Sequence, residues 1–119
     1  MKIEECYEKM GGSYAEVSGR IPGDTLIVKF LGKFLNDESY ANLREYVEQG
    51  NREQAFRAAH TLKGVCANLG LSNLQKHAEE ITEVLRKETD EMPKEAAEML
   101  PGVTEAYNTT VSAIHELLD

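Results

Sequence analysis

Apolar residues recur along most of this chain at spacings of three and four, and glycine and proline fall between the periodic stretches, so the pattern predicts an all-α protein. Ile3, Cys6, Tyr7 and Met10 form a first short stripe that Gly11-Gly12 ends. Ser13-Tyr14-Ala15-Glu16 then has the form of a capping box opening another turn or two. Arg20-Ile21-Pro22-Gly23 reads as a linker, and Asp24 is the expected N-cap of a stripe made by Leu26, Ile27, Phe30, Leu31, Phe34 and Leu35. Tyr40, Leu43, Tyr46 and Val47 lie on nearly the opposite side of an ideal continuation, which predicts a break within Asn36-Asp37-Glu38-Ser39.

Gly50 suits the left-handed position after a helix, Asn51 the N-cap of the next, and Gln54 the second half of a capping box, so a helix is expected from about 52 to 69. Gly70 ends it. Ser72 with Gln75 starts another helix, with the stripe Leu74, Ala78, Ile81 and Leu85, and residues 86–91 form a solvated end. Pro93 suits a first helical turn. The last stripe is Ala96, Leu100, Val103, Tyr107, Val111, Ile114 and Leu118, and Pro101-Gly102 within it predicts a kink or a second start. Short connections between long amphipathic helices favour antiparallel neighbours. The expected fold is therefore an antiparallel up-and-down four-helix bundle over 24–118, with a short N-terminal helical cap over 1–23, forming a single domain over 1–119.

Length and charge narrow the function. At 119 residues the chain is expected to form one domain, too small for a large enzyme. Thirteen Lys and Arg against twenty-one Asp and Glu give a net charge of -8, which makes nucleic acid or an anionic membrane surface a poor partner. Cys6 and Cys66 each lie within an apolar helical pattern and read as reduced thiols packed as small hydrophobes. The first residues run straight into charge instead of a signal peptide, and no run approaches the ~20 apolar residues of a membrane span, so a cytoplasmic protein is expected, and a lone helical bundle with this acidic surface is most simply a monomer.

The helix expected over 52–69 carries the candidate chemistry. Its projection puts Ala55, Ala59, Leu62, Cys66 and Leu69 on one face and His60 roughly 140° away, toward solvent. A lone histidine is usually a surface residue or a satisfied core residue, and the neighbours decide its weight here. Lys63 and Arg57 flank His60 at i+3 and i-3, where ordinary solvated charge is the simplest account. Gly64, at i+4, stands inside a helix at a cost of about 0.5–1 kcal/mol relative to alanine. A kink or close helix packing would explain such a glycine, but Gly64 projects to the same side as His60, which favours room for a partner. Imidazole is largely neutral near neutral pH, so an exposed ring nitrogen can attack phosphorus without a dedicated base. A phosphoryl group there would bring about two negative charges, for which Lys63 is the first partner and Arg57 the second. No acidic cluster able to hold Mg²⁺ lies beside His60, so the metal and most of the transfer machinery would come from the partner.

The run Phe56-Arg57-Ala58-Ala59-His60-Thr61-Leu62-Lys63-Gly64, followed by Val65-Cys66-Ala67-Asn68-Leu69-Gly70 and the helix carrying Leu74, resembles the histidine-containing phosphotransfer (HPt) domains of two-component phosphorelays. The resemblance implies that His60 accepts a phosphoryl group at Nε2 from an aspartyl phosphate and passes it to another receiver. It implies that Lys63 contacts that group and that Gly64 leaves room for it. The implied partners are receiver domains of response regulators or hybrid histidine kinases, with no cofactor on this chain and Mg²⁺ on the receiver. Such domains often carry Gln or Glu on the facing helix where this chain has Thr82, a departure that bears on a second hydrogen bond to the imidazole and not on the acceptor role. The expected docking rim is Arg57, Thr61, Asn68 and Gln75.

Three other classes compete. A histidine kinase needs a nucleotide-binding domain for which this chain has no room, so no enzyme with ATP chemistry is expected. A carboxylate-bridged metal bundle needs Glu three residues before its histidines, but Arg57, Leu74 and Ser112 precede His60, His77 and His115. His60 and Cys66 project to well-separated faces, against a zinc site. A helical adaptor without chemistry is the serious alternative, and the intact set of His60, Lys63 and Gly64 argues against it.

Overall fold

The computed structural model describes residues 1–86, 89 and 91–119, and no strand occurs among them. Its helices in chain order are α1 (Ile3–Met10), α2 (Tyr14–Arg20), α3 (Asp24–Phe34), α4 (Ser39–Gln49), α5 (Arg52–Leu69), α6 (Ser72–Leu85) and α7 (Lys94–Leu118). The break expected between Asn36 and Ser39 separates α3 from α4, and α5 has the bounds its pattern predicts. Lys87, Glu88 and Asp90 of the expected solvated end lie outside the described residues.

Helix α4 packs on α5, α5 on α6, α6 on α7, and α7 returns to α4. Their inward stripes make one core, including Leu43, Leu62, Leu74, Ile81 and Ile114, all fully buried. Helix α3 lies outside this ring against α2, α5 and α7, and α1 lies along α7. At the margin between α4 and α7, the rings of Tyr40 and Tyr107 stack with centroids 4.1 Å apart, and the Tyr40 hydroxyl is 2.8 Å from the Thr104 hydroxyl.

The N-terminal segment closes the end of α5. Gly70 adopts φ +67°, reversing the chain into α6 and returning the N–H groups of Gly70 and Leu71 to the Ala67 and Cys66 carbonyls, while the Leu69 and Gly70 carbonyls take partners from elsewhere. The Tyr7 hydroxyl donates to the Leu69 carbonyl at 2.6 Å, the Ser13 N–H to the Gly70 carbonyl at 2.9 Å, and the Arg20 guanidinium to the Ala67 carbonyl. In return, the Asn73 N–H at the start of α6 donates to the Gly11 carbonyl at 3.2 Å.

These bonds correct several expectations. The Ser13 hydroxyl accepts from the Glu16 N–H at 3.2 Å, but the Ser13 N–H is taken by Gly70, so only half of the capping box forms. Asp24 is the first residue of α3 and not its N-cap; Gly23 holds that position, and the Asp24 carboxylate instead accepts from the Tyr14 hydroxyl at 2.5 Å. Leu71 takes the cap position of α6, and Ser72 is already helical. Pro93 stands just ahead of α7.

Helix α7 runs unbroken through Pro101-Gly102, so no second start occurs. Pro101 and Ala97, whose carbonyl loses its donor, both face solvent, where water replaces the missing bond. Gly102 faces α6. A Cβ there would stand 3.2 Å from His77 Nδ1, so the glycine lets the imidazole lie against the α7 backbone. The buried stripe of α7 is Ala96, Val103, Ala106, Thr110, Ala113 and Ile114. Leu100, Tyr107 and Val111 are half-buried, and Leu118 is 41 % exposed. The smaller side chains face the ring because they allow closer approach of the helices, and the larger apolar ones cover its edges.

Both cysteines are free and buried. Burial pushes the Cys66 thiol up to about 12, helped by the negative field of Asp37, and burial with the field of Glu116 pushes Cys6 up to about 11. The stability held by these neutral thiols is complete below the ordinary value of 9.0 and is lost as pH rises toward 11 and 12, because the unfolded chain releases the protons first. The urea midpoint should therefore fall above about pH 9, and the fall should shrink in a Cys6→Ala, Cys66→Ala double variant.

The two helix-ending glycines of α4 and α5 should respond unequally to a methyl group. At Gly50, φ +72°, nothing lies within 4 Å of an added Cβ, whereas at Gly70 that atom would stand 2.7 Å from the Ser13 carbonyl oxygen. Gly50→Ala should cost about 1 kcal/mol, the left-handed penalty alone. Gly70→Ala should cost at least about 1 kcal/mol more, measured by urea unfolding, because the N-terminal segment must shift.

Candidate functional site

Helix α5 is fixed at both ends before any side chain on it can act. The Asn51 side chain accepts from the Gln54 N–H at 3.1 Å at the start, and the Gly70 turn closes the other end. Ala55, Ala58, Ala59, Leu62, Cys66 and Leu69 are buried against α4 and α6. Three alanines among these six let the neighbouring helices come close, and the opposite strip of α5 is left to solvent.

That strip holds His60, Gly64 and Asn68, one helical turn apart and all exposed, with Arg57 and Thr61 exposed beside them and Lys63 half-buried at the margin. The imidazole thus lies where the projection puts it, well away from buried Cys66. An added Cβ on Gly64 would meet nothing within 4 Å, so no packing inside the molecule accounts for this glycine. Lys63 makes no hydrogen bond or ion pair with another described residue, and its charge adds to the lowering of the nearby Glu83 carboxyl. The main cause of that lowering is the hydrogen bond from Arg86. Arg57 is instead paired with Glu53 at 3.0 Å, an exposed i, i+4 pair contributing at most about 0.5 kcal/mol.

The four expected rim residues do not share one groove. Arg57 and Thr61 line a polar groove between α4 and α5 with Ser39, Asn42, Tyr46 and Gln54. Asn68 lines a second groove, on the α3 side. Gln75 lines neither and donates to Glu79 along α6 at 2.9 Å. The second groove, about 430 Å³, has an apolar floor of Ile21, Phe30, Phe34, Val65 and Leu69 and a polar rim of Arg20, Lys33, Asp37 and Asn68.

Sequence reasoning missed the α3 wall of this groove. Phe30 reads as part of a core stripe, but it is half-buried with the Lys33 ammonium 5.4 Å from its ring centroid. An aromatic with a lysine three residues on was the available signal. It also missed Phe56, whose ring lies 6.0 Å from that of His60 at an interplanar angle of 23°.

Against known families, the Hpt domain model matches residues 34–119, most of the chain. The chain belongs to the Hpt domain family. Searches of curated proteins and of solved structures gave no match. Hpt domains are phosphotransfer modules of two-component signalling rather than kinases, and the family works with receiver domains. Among the described residues of this Hpt domain, no group of His, Cys, Asp and Glu is arranged to hold a metal ion, and no helix is long and apolar enough to cross a membrane.

Because nothing packs on Gly64, its replacement by alanine should follow helix propensity alone. Gly64→Ala should raise stability by about 0.5–1 kcal/mol, seen as a higher Tm in thermal unfolding. A lower Tm would mean that the glycine serves the fold.

Proposed function

We propose that this Hpt domain is a phosphorelay intermediate. His60 accepts a phosphoryl group from an aspartyl phosphate on one receiver domain and gives it to the aspartate of another. The observation that carries the reading is the exposed line of His60 and Gly64 with an unpaired cation, Lys63, at its margin. In the step itself, the Nε2 lone pair forms a bond to phosphorus while the bond from phosphorus to the aspartyl oxygen breaks, and the carboxylate leaves with the electron pair. The ring then carries the charge of an imidazolium and keeps its Nδ1 proton or gives it to water. Onward transfer reverses these bonds on a second receiver.

Lys63 serves as a point charge on the phosphoryl oxygens, and the bare backbone at Gly64 admits the group with the receiver behind it. Docking uses the groove between α3 and α5, whose apolar floor and polar rim match the anatomy of a protein interface. Arg20 and Lys33 place positive charge on this rim although the whole chain carries -8. That suits a receiver whose carboxylates hold Mg²⁺, the metal belonging to the partner. On this reading α4 to α7 work as an antiparallel up-and-down four-helix bundle within a single domain, and α3, expected as part of it, packs on its outside. The chain is a cytoplasmic monomer without a cofactor of its own.

The test mixes the chain with phosphorylated receiver domains and looks for acid-labile, alkali-stable phosphate. Wild type should become labelled and His60→Gln should not. Gly64→Gln should block labelling with helicity unchanged by circular dichroism, and Lys63→Gln should slow transfer about tenfold or more, the scale of one charge-assisted contact. Absence of label from any of several receivers would favour a helical adaptor, and equal labelling of Gly64→Gln would refute the clearance role.

A further inference from the structure

We infer that Phe56 is the positioning residue of the acceptor, holding the His60 imidazole by ring stacking in place of a hydrogen bond. This rests on the phosphorelay reading and adds to it how the nucleophile is aimed. Phe56 stands at i-4 from His60, the spacing at which two side chains on a helix lie one above the other. The two rings are 6.0 Å apart and 23° from parallel, within the range of offset stacking. Phe56 also meets Arg86, whose guanidinium carbon is 5.1 Å from the ring centroid. Arg86 is itself held by two hydrogen bonds to the Glu83 carboxylate, at 3.0 and 3.2 Å. Phe56 therefore touches both the residue that caps the end of α6 and the imidazole.

No hydrogen bond takes over this task. His60 makes none with another described residue. Thr82 on α6 is fully buried and gives its hydroxyl to the Ala78 carbonyl at 2.5 Å. A hydrogen bond to Nδ1 would fix both ring plane and tautomer, whereas a stack fixes the plane and leaves both nitrogens free of protein partners. The plane is what transfer needs, because it decides whether Nε2 points out over the Gly64 strip.

The experiment compares full-length wild type, Phe56→Leu, Phe56→Tyr and Arg86→Met. Leucine keeps apolar bulk without a ring, and tyrosine restores the ring. By NMR, the His60 ring protons should show a ring-current shift in wild type that is lost in Phe56→Leu and restored in Phe56→Tyr. At saturating phosphorylated receiver, Phe56→Leu should lower the single-turnover rate about twofold to tenfold, the scale of one aromatic pair, while the half-saturating receiver concentration stays unchanged. Phe56→Tyr should recover the rate, and Arg86→Met should fall between.

Phosphoramidate, which phosphorylates the imidazole with ammonia as leaving group and needs no receiver, supplies a separate arm with the same expected order. Wild type that reacts with phosphoramidate and with no receiver overturns the relay reading alone, and the order among variants still decides the role of Phe56. Unchanged ring shifts and rates in Phe56→Leu overturn the positioning role, and so does a change confined to the half-saturating concentration, which would make Phe56 a docking residue.

Discussion

Burial of the alanine-rich face of α5 is the constraint from which the rest of this molecule follows. Ala55, Ala58 and Ala59 let α4 and α6 close on two sides of the helix, and Leu62, Cys66 and Leu69 continue the same packing to its end. A helix held on those sides has little freedom to roll, so the strip of His60, Gly64 and Asn68 keeps a fixed outward direction. Helix packing thus sets the side of the protein that the His60 ring faces, and that ring lies 6.0 Å from the ring of Phe56.

The second fixed point is the turn at Gly70. The Gly70 turn leaves the Leu69 and Gly70 carbonyls open, Tyr7 and Ser13 satisfy them from the N-terminal segment, and Arg20 adds a second bond to the Ala67 carbonyl. These bonds bring the end of α2 beside α5, and the chain beyond it leads into α3. Arg20 and Ile21 therefore stand with Phe30 and Lys33 on the wall of the groove that meets Asn68. Residues outside the family match, which begins at residue 34, thereby contribute to the surface beside the exposed strip of α5.

Charge is distributed to the same end. The chain carries -8 overall, yet Arg20, Lys33 and Lys63 lie along the strip and its groove. Glu53 occupies Arg57, and Glu83 occupies Arg86, so Lys63 is left as the cation nearest the imidazole without an ion partner among the described residues. A mobile ammonium suits a group that arrives and departs, whereas a paired guanidinium would first have to give up its carboxylate.

By itself, the sequence determined the all-helical class and nearly all the limits of the helices, because apolar periodicity, Gly50 and Gly70 at helix ends and Asn51 as a cap are local signals that depend on neighbours three or four residues away. It likewise determined that His60 and Gly64 share a strip turned from the core, with Lys63 beside it. What it left open were the choices settled by distant partners. Ser13 gave its N–H to Gly70 instead of Glu16, Asp24 gave its carboxylate to Tyr14 instead of capping α3, and α7 ran through Pro101 because solvent could take up the freed carbonyl. Only the tertiary structure decided that Phe30 would line a groove, that Arg57 and Asn68 would face different grooves, and that Arg86, at the end of α6, would meet Phe56. Each of these depends on which helices lie side by side, and no pattern within one helix encodes that.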